Sequence, residues 1–246
     1  MISTCGCAHV WYKRFVTLIA LYADEAGILL LGDKLRGEEN NPVPQADATK
    51  VFVAVDRKVC CALYGAVPIP DGHRGFRTDI WLADFVAQSI PRGSSALYAA
   101  VRLEHALRNP ALGNRGASGG GFLVAGYEGS KPSAFEIYCE SKSTTDTALK
   151  IGSWEVPREG FCQQPLLRGL RNDCSALTQE VGLEFPKGRE GQIAWFGGVL
   201  NILSQKGVPV GGQLDWVAID ADMNPLVVGL NAESPVPGSL DRRKQQ

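Results

Sequence analysis

Three polar residues stand at the ends of runs rich in apolar, branched side chains. Thr17 sits at the start of VTLIALYA (Val16 to Ala23), Asp33 closes GILLLGD (Gly27 to Asp33), and Lys50 opens a further run to Val55. The bend Asp24-Glu25-Ala26-Gly27 separates the first two runs, so they read as a β-hairpin. Hairpin geometry then sets the start of one strand beside the end of its partner, and Thr17 beside Asp33. A third strand lying alongside adds Lys50 to the group. A threonine hydroxyl is a weak nucleophile that needs an adjacent base, and the residue's own α-amino group can serve. That amine titrates near about 7.7–8.0 when unperturbed. A neighbouring ammonium lowers it and leaves it neutral, able to take a proton. Lys50 supplies such a charge and Asp33 can hold it, with Lys34 a rival cation. The chemistry requires that residues 1–16 be removed or never translated.

Other chemistries find little support. No Gly-x-Ser-x-Gly elbow, phosphate-binding loop, dinucleotide fingerprint or His-Glu-x-x-His is present, and His9, His73 and His105 are the only histidines. Cys5-x-Cys7-x-His9 lacks a second pair at zinc spacing, so neither a metal nor a cofactor is expected. A formal charge of −1 provides no field for nucleic acid or anionic lipid. Lys13-Arg14 and the apolar run Phe15 to Ala23 resemble a secretory signal, but Leu21 and Ala23 suit a cleavage site poorly and the run is too short to span a bilayer. Seven cysteines, an odd number scattered through apolar stretches, point to a reducing, cytoplasmic setting. Cys60-Cys61 are expected to pack rather than react.

Around the hairpin, the pattern orders the remaining elements. Lys34 to Thr49 is polar and broken by Pro42 and Pro44, and reads as a loop. Strands are expected at Lys50 to Val55 and Lys58 to Tyr64, then helices from Phe76 to Ile90 and from a Ser94 or Ser95 cap to about Asn109. Strands follow at Gly121 to Tyr127, Ser133 to Cys139 and Thr144 to Ile151, helices at Pro165 to Val181 and Glu190 to Gln205, and strands at Gln213 to Asp220 and Pro225 to Val228. Strands in blocks with helices paired between them indicate an α+β layered fold. The polar tail 232–246 is expected to be disordered.

These residues resemble the proteasome-type N-terminal nucleophile hydrolases, which include the proteasome β subunits and their bacterial relatives. The resemblance spans Val16 to Val228 and rests on Thr17-Leu18-Ile19-Ala20, Gly27, Gly32-Asp33, Lys50-Val51-Phe52, Gly65, the central Phe122 to Tyr138, Gly152-Ser153 and Gly211-Gly212. It implies a four-layer αββα sandwich of two antiparallel sheets over residues 17–231, with residues 1–16 as a propeptide or misassigned leader. It further implies Thr17 as nucleophile and base, Asp33 and Lys50 orienting it, the backbone N–H near Gly65 stabilising the oxyanion, and Ser153 assisting at the amine. The implied activity is a self-compartmentalised threonine peptidase, a homo-oligomeric ring or double ring acting on peptides or unfolded polypeptide, with an unfoldase partner unidentified.

Departures keep two other readings in play. Val16 stands where processed members carry Gly, Gly207 and Val210 stand where a supporting Asp and Ser are found, and Leu18 follows the nucleophile. The missing Gly, Asp and Ser favour a ring-assembly subunit without activity, and a small-molecule amidase of the same class shares the fold. Val16 also suggests a GUG start codon, whose initiator Met would be removed to expose Thr17.

Overall fold

The computed structural model describes residues 17–34, 36–38, 41–45, 48–54, 58–66, 78–108, 119–140, 150–169, 185–206, 208, 210–211, 213–222 and 225–232, with backbone alone at 36–38, 41–45, 66, 119, 140, 150 and 225–232. Two five-stranded sheets, with every pairing antiparallel, carry the fold. The first is built from β1 (Ile19–Asp24), β2 (Gly27–Asp33), β10 (Leu166–Arg168), β11 (Leu214–Asp220) and β12 (Pro225–Ala232), in the order β10-β1-β2-β11-β12. The second runs β5-β6-β7-β8-β9, from β5 (Val51–Val53), β6 (Val59–Ala66), β7 (Gly119–Glu128), β8 (Lys131–Glu140) and β9 (Lys150–Glu155).

Period-two alternation explains why β1 and β2 are apolar throughout: both faces of their sheet are covered. Ile19, Leu21, Ile28 and Leu30 face the second sheet and meet Cys60, Ala62, Tyr64, Leu123 and Ala125. Leu18, Ala20, Leu29 and Leu31 face the other way, onto Trp195, Phe196, Val199 and Leu200 of helix α4 (Arg189–Gln205). The outer face of the second sheet carries Cys61, Leu63, Phe122, Val124 and Ile137, covered by Leu82 and Phe85 of α1 (Thr78–Ser89) and Ala99, Ala100 and Leu103 of α2 (Ala96–Leu107). Each fully buried Leu contributes about 1.5–3 kcal/mol, so the sheet-to-sheet contact is held from both sides. The Ser95 Oγ caps α2 by accepting from the Tyr98 N–H at 3.2 Å.

Three expected elements differ. The polar segment after Asp33 contains a two-stranded ladder, β3 (Arg36–Glu38) with β4 (Asn41–Gln45), and its ends are drawn together where the Ala48 N–H donates to Lys34 O at 3.4 Å. Leu166–Arg168, expected to be helical, is strand β10 because β1 offers it an open edge, pairing Ile19 with Arg168 and Leu21 with Leu166. A short helix, α3 (Glu159–Cys162), precedes it, and the rest of the expected helix, 170–181, lies outside the described residues. The third strand of the central block runs past its expected end at Ile151, as Lys150–Glu155, while 144–149 lie outside the described residues.

Candidate active site

The hairpin register positions the first residues of the site. Ile19 pairs with Gly32, the Asp33 N–H donates to Leu18 O at 3.1 Å, and the Leu18 N–H donates to the Asp33 side chain at Oδ1, 2.8 Å away. Continuing that register by one residue sets Thr17 across from Lys34. On the far side of β2, the Lys34 N–H donates to Gln213 O at 3.0 Å, which carries the ladder into β11. From the second sheet, the Leu63 N–H donates to Lys50 O at 3.0 Å and fixes Lys50 at the head of β5.

Gly32 is what lets these sheets meet closely. A Cβ there would lie 2.9 Å from Val51 Cγ2, 3.0 Å from Ile19 Cδ1 and 3.5 Å from Lys50 Cβ. Its missing side chain gives Lys50 the path by which Nζ reaches Asp33 Oδ1, 2.8 Å away. Thr17, Asp33 and Lys50 are 5%, 0% and 3% exposed, so the ion pair sits out of water beside the threonine. Burial pushes the Asp33 carboxyl up and the Lys50 ammonium down, and each partner's charge opposes that drift in the other. A lysine lowered in this way yields its proton more readily than an exposed one.

The sequence reasoning missed a second buried pair. Lys34 Nζ lies 3.7 Å from Asp215 Oδ1, with Asp215 fully buried and Lys34 nearly so. Asp215 is opposite Gly32 in the β2–β11 ladder. Its signal was present as an acid set within an otherwise apolar run, LDWVAI, ahead of the closing Asp220. The structure therefore assigns the two lysines separately: Lys50 holds Asp33, and Lys34 holds Asp215.

A third group lies along β10. Arg168, paired with Ile19, donates to Glu136 from Nε at 2.8 Å and from Nη2 at 2.9 Å, and the Tyr64 hydroxyl donates to Glu136 Oε1. Burial, with the Glu136 carboxylate alongside, holds the Tyr64 phenol far above its usual range. This network ties the edge of the first sheet to the middle of the second, next to the threonine. The following residue, Gly169, has φ of +102°, and a Cβ there would fall 1.6 Å from Thr17 O. Only glycine fits this close approach.

Of the remaining sequence candidates, Gly65 lies on β6 two residues past Leu63, with φ of +68°. Leu63, two residues before it, donates its N–H to Lys50 O, so Gly65 follows the point where β6 meets the head of β5. Ser153 goes elsewhere. It pairs with Ile137 on the outer face of the second sheet, is exposed, and its hydroxyl donates to Glu104 Oε2 of α2. Gly211, buried with φ of +129°, brings its N–H toward the Asp33 carboxylate, while Gly207 and Gly212 lie outside the described residues. Cys60 and Cys61 are buried in the core, the Cys60 thiol pushed up to about 12. Among the described residues no group of three or more His, Cys, Asp or Glu could hold a metal ion, and no helix is long and apolar enough to cross a membrane.

No protein-family model matches the chain, and no curated protein does. The fold has a counterpart among solved structures. The Gly-1 mutant of Anbu from Hyphomicrobium sp. strain MC1 superposes with a TM-score of 0.55, covering 89% of this chain and 88% of that one at 11% identity. At that identity the likeness establishes the fold, an α+β arrangement of two antiparallel sheets with flanking helices, across nearly the whole chain.

Proposed function

We propose that this chain is a proteasome-type N-terminal nucleophile hydrolase, a threonine peptidase acting through Thr17 once residues 1–16 are removed or not translated. The observation that carries this reading is the burial of Thr17 at one strand end beside the Lys50–Asp33 pair, Nζ to Oδ1 at 2.8 Å. In the 246-residue chain the Thr17 nitrogen is an amide, so the hydroxyl has no base of its own. Freed, the amine takes the Thr17 hydroxyl proton as Oγ attacks the substrate carbonyl. In this reading the Gly65 N–H donates to the developing oxyanion. Collapse expels the new amine, which takes the proton back from the Thr17 ammonium and leaves an acyl-threonine ester. Water, deprotonated by the same amine, then hydrolyses the ester. Asp33 anchors Lys50, whose charge keeps the Thr17 amine neutral. Ser153, hydrogen-bonded to Glu104 of α2, is given no role in this reading.

Support also comes from the fold neighbour, since Anbu is a bacterial proteasome-like homologue. On this reading the helices and sheets form the four-layer αββα sandwich of that class, and the chain works in the cytoplasm as a ring or double ring on peptide or unfolded polypeptide. The test is a chain beginning at Thr17, obtained by cleaving a fusion, assayed on N-capped fluorogenic peptides and with an epoxyketone trap. Hydrolysis that is lost in Thr17→Ala, with the trap's mass found on Thr17, supports the proposal. A folded protein that neither cleaves nor is trapped rejects it and favours the assembly subunit.

A further inference from the structure

We propose that Lys34, anchored by Asp215, is a second cation of the nucleophile site and acts with Lys50 to set the basicity of the Thr17 amine. This rests on the preceding reading, in that Thr17 must be freed for its amine to titrate. The register carries the inference. The β1–β2 ladder ends at Ile19 and Gly32, the Asp33 N–H donates to Leu18 O beyond it, and the register continued one residue further opposes Thr17 to Lys34. Opposed residues of an antiparallel pair project to the same face with Cβ atoms about 4.5–5.5 Å apart. Lys34 reaches Asp215 of β11, whose strand neighbours Val217 and Ile219 pack between the sheets, and alternation continued from Ile19 and Leu21 turns Thr17 to that same side.

Asp215 holds the lysine there. It is opposite Gly32 on the same face, where no Cβ intervenes, and its carboxylate also acts on the Lys50 ammonium. Lys34, Asp215, Lys50 and Asp33 therefore form one chain of alternating charge between the sheets. Two further charges face this group: Asp79 of α1, which acts on Lys50, and Arg168, which is across β1 from it and tied to Glu136. Lys50 and Asp33 are in contact at 2.8 Å, so the carboxylate offsets part of the Lys50 field at a nearby amine. The Lys34–Asp215 pair is looser, at 3.7 Å, and has its cation on the strand facing Thr17. That arrangement leaves a net positive field at the threonine, which disfavours an ammonium there. A purely structural role for Lys34 would affect folding without moving the amine.

The experiment follows Thr17 itself in a chain beginning at that residue. A carbon-13 threonine NMR titration gives the ionisation of its amine, and the pH profile of kcat/KM on a fluorogenic peptide gives the catalytic consequence. Lys34→Met is expected to move the amine titration up by about one pH unit. Activity then falls about tenfold at pH 6.5, a loss that shrinks as the pH rises to 9. Lys34→Arg restores the parent titration, and Asp215→Asn moves it downward by removing the opposing carboxylate. An unchanged titration in folded Lys34→Met overturns the proposal. If Lys34→Met does not fold, an unchanged titration in Asp215→Asn overturns it equally. A chain that cleaves nothing rejects the peptidase reading while the NMR titration still decides the role of Lys34.

Discussion

Replacing Lys50 by Met removes the ammonium but keeps a chain of similar volume, so the result reports charge rather than packing. Asp33 is 0% exposed, and it would keep only backbone donors such as the Leu18 N–H at 2.8 Å. Removing one partner of a buried pair costs about 3–5 kcal/mol because the other charge is stranded. The loss carries a pH signature whose sign follows from Asp33. Burial raises its carboxyl in the folded state, and without Lys50 nothing of opposite charge at hydrogen-bond distance offsets this. Below the unfolded value of about 3.9 the carboxyl is neutral in both states, and the penalty vanishes. As pH rises, the penalty grows by about 1.4 kcal/mol per unit until the folded carboxyl ionises. Urea unfolding of parent and variant at pH 5 and pH 8 measures both parts. The expected deficit is about 3–5 kcal/mol at pH 8 and clearly smaller at pH 5. Lys50→Met with Asp33→Asn, which removes both charges, recovers most of it. A deficit below about 1 kcal/mol at pH 8, or one independent of pH, refutes the reasoning that a buried ion pair sits beside Thr17.

Two further outcomes test the surroundings of the threonine. Gly169→Ala meets Thr17 O at 1.6 Å and forces a side chain onto a residue with φ of +102°. It should destabilise by well over about 1 kcal/mol in a thermal melt and lower Thr17-dependent hydrolysis as β10 moves away. Glu136→Gln removes the carboxylate that holds Arg168 and Tyr64 together. Because Arg168 is partly exposed, a loss of about 1.5–3 kcal/mol is expected by urea unfolding, with Tyr64→Phe costing less, about 1 kcal/mol.

Residues close in the chain made much of this protein legible beforehand. The β1–β2 hairpin follows from two apolar runs around Asp24-Glu25-Ala26-Gly27, and it alone sets Thr17 near Asp33. Helices α1, α2 and α4 follow from apolar spacing and from the Ser95 cap, all local features. Which lysine serves which aspartate was not legible, because Lys34 and Lys50 are equally plausible neighbours of Asp33 in sequence. The choice was made by the crossing of β5 over Gly32 and by the arrival of Asp215 on β11, contacts between segments far apart in the chain. Leu166–Arg168 has a helix-like pattern and became a strand because the open edge of β1 offered backbone partners that a helix there would leave unpaired. Ser153 shows the same limit, since its motif says nothing of which sheet face it occupies, and pairing with Ile137 turned it toward Glu104. The sequence by itself determined the local elements and the chemical types at their ends. Only the tertiary structure decided which charges share a buried space, because that depends on how two separately formed sheets stack and where a missing Cβ lets them touch.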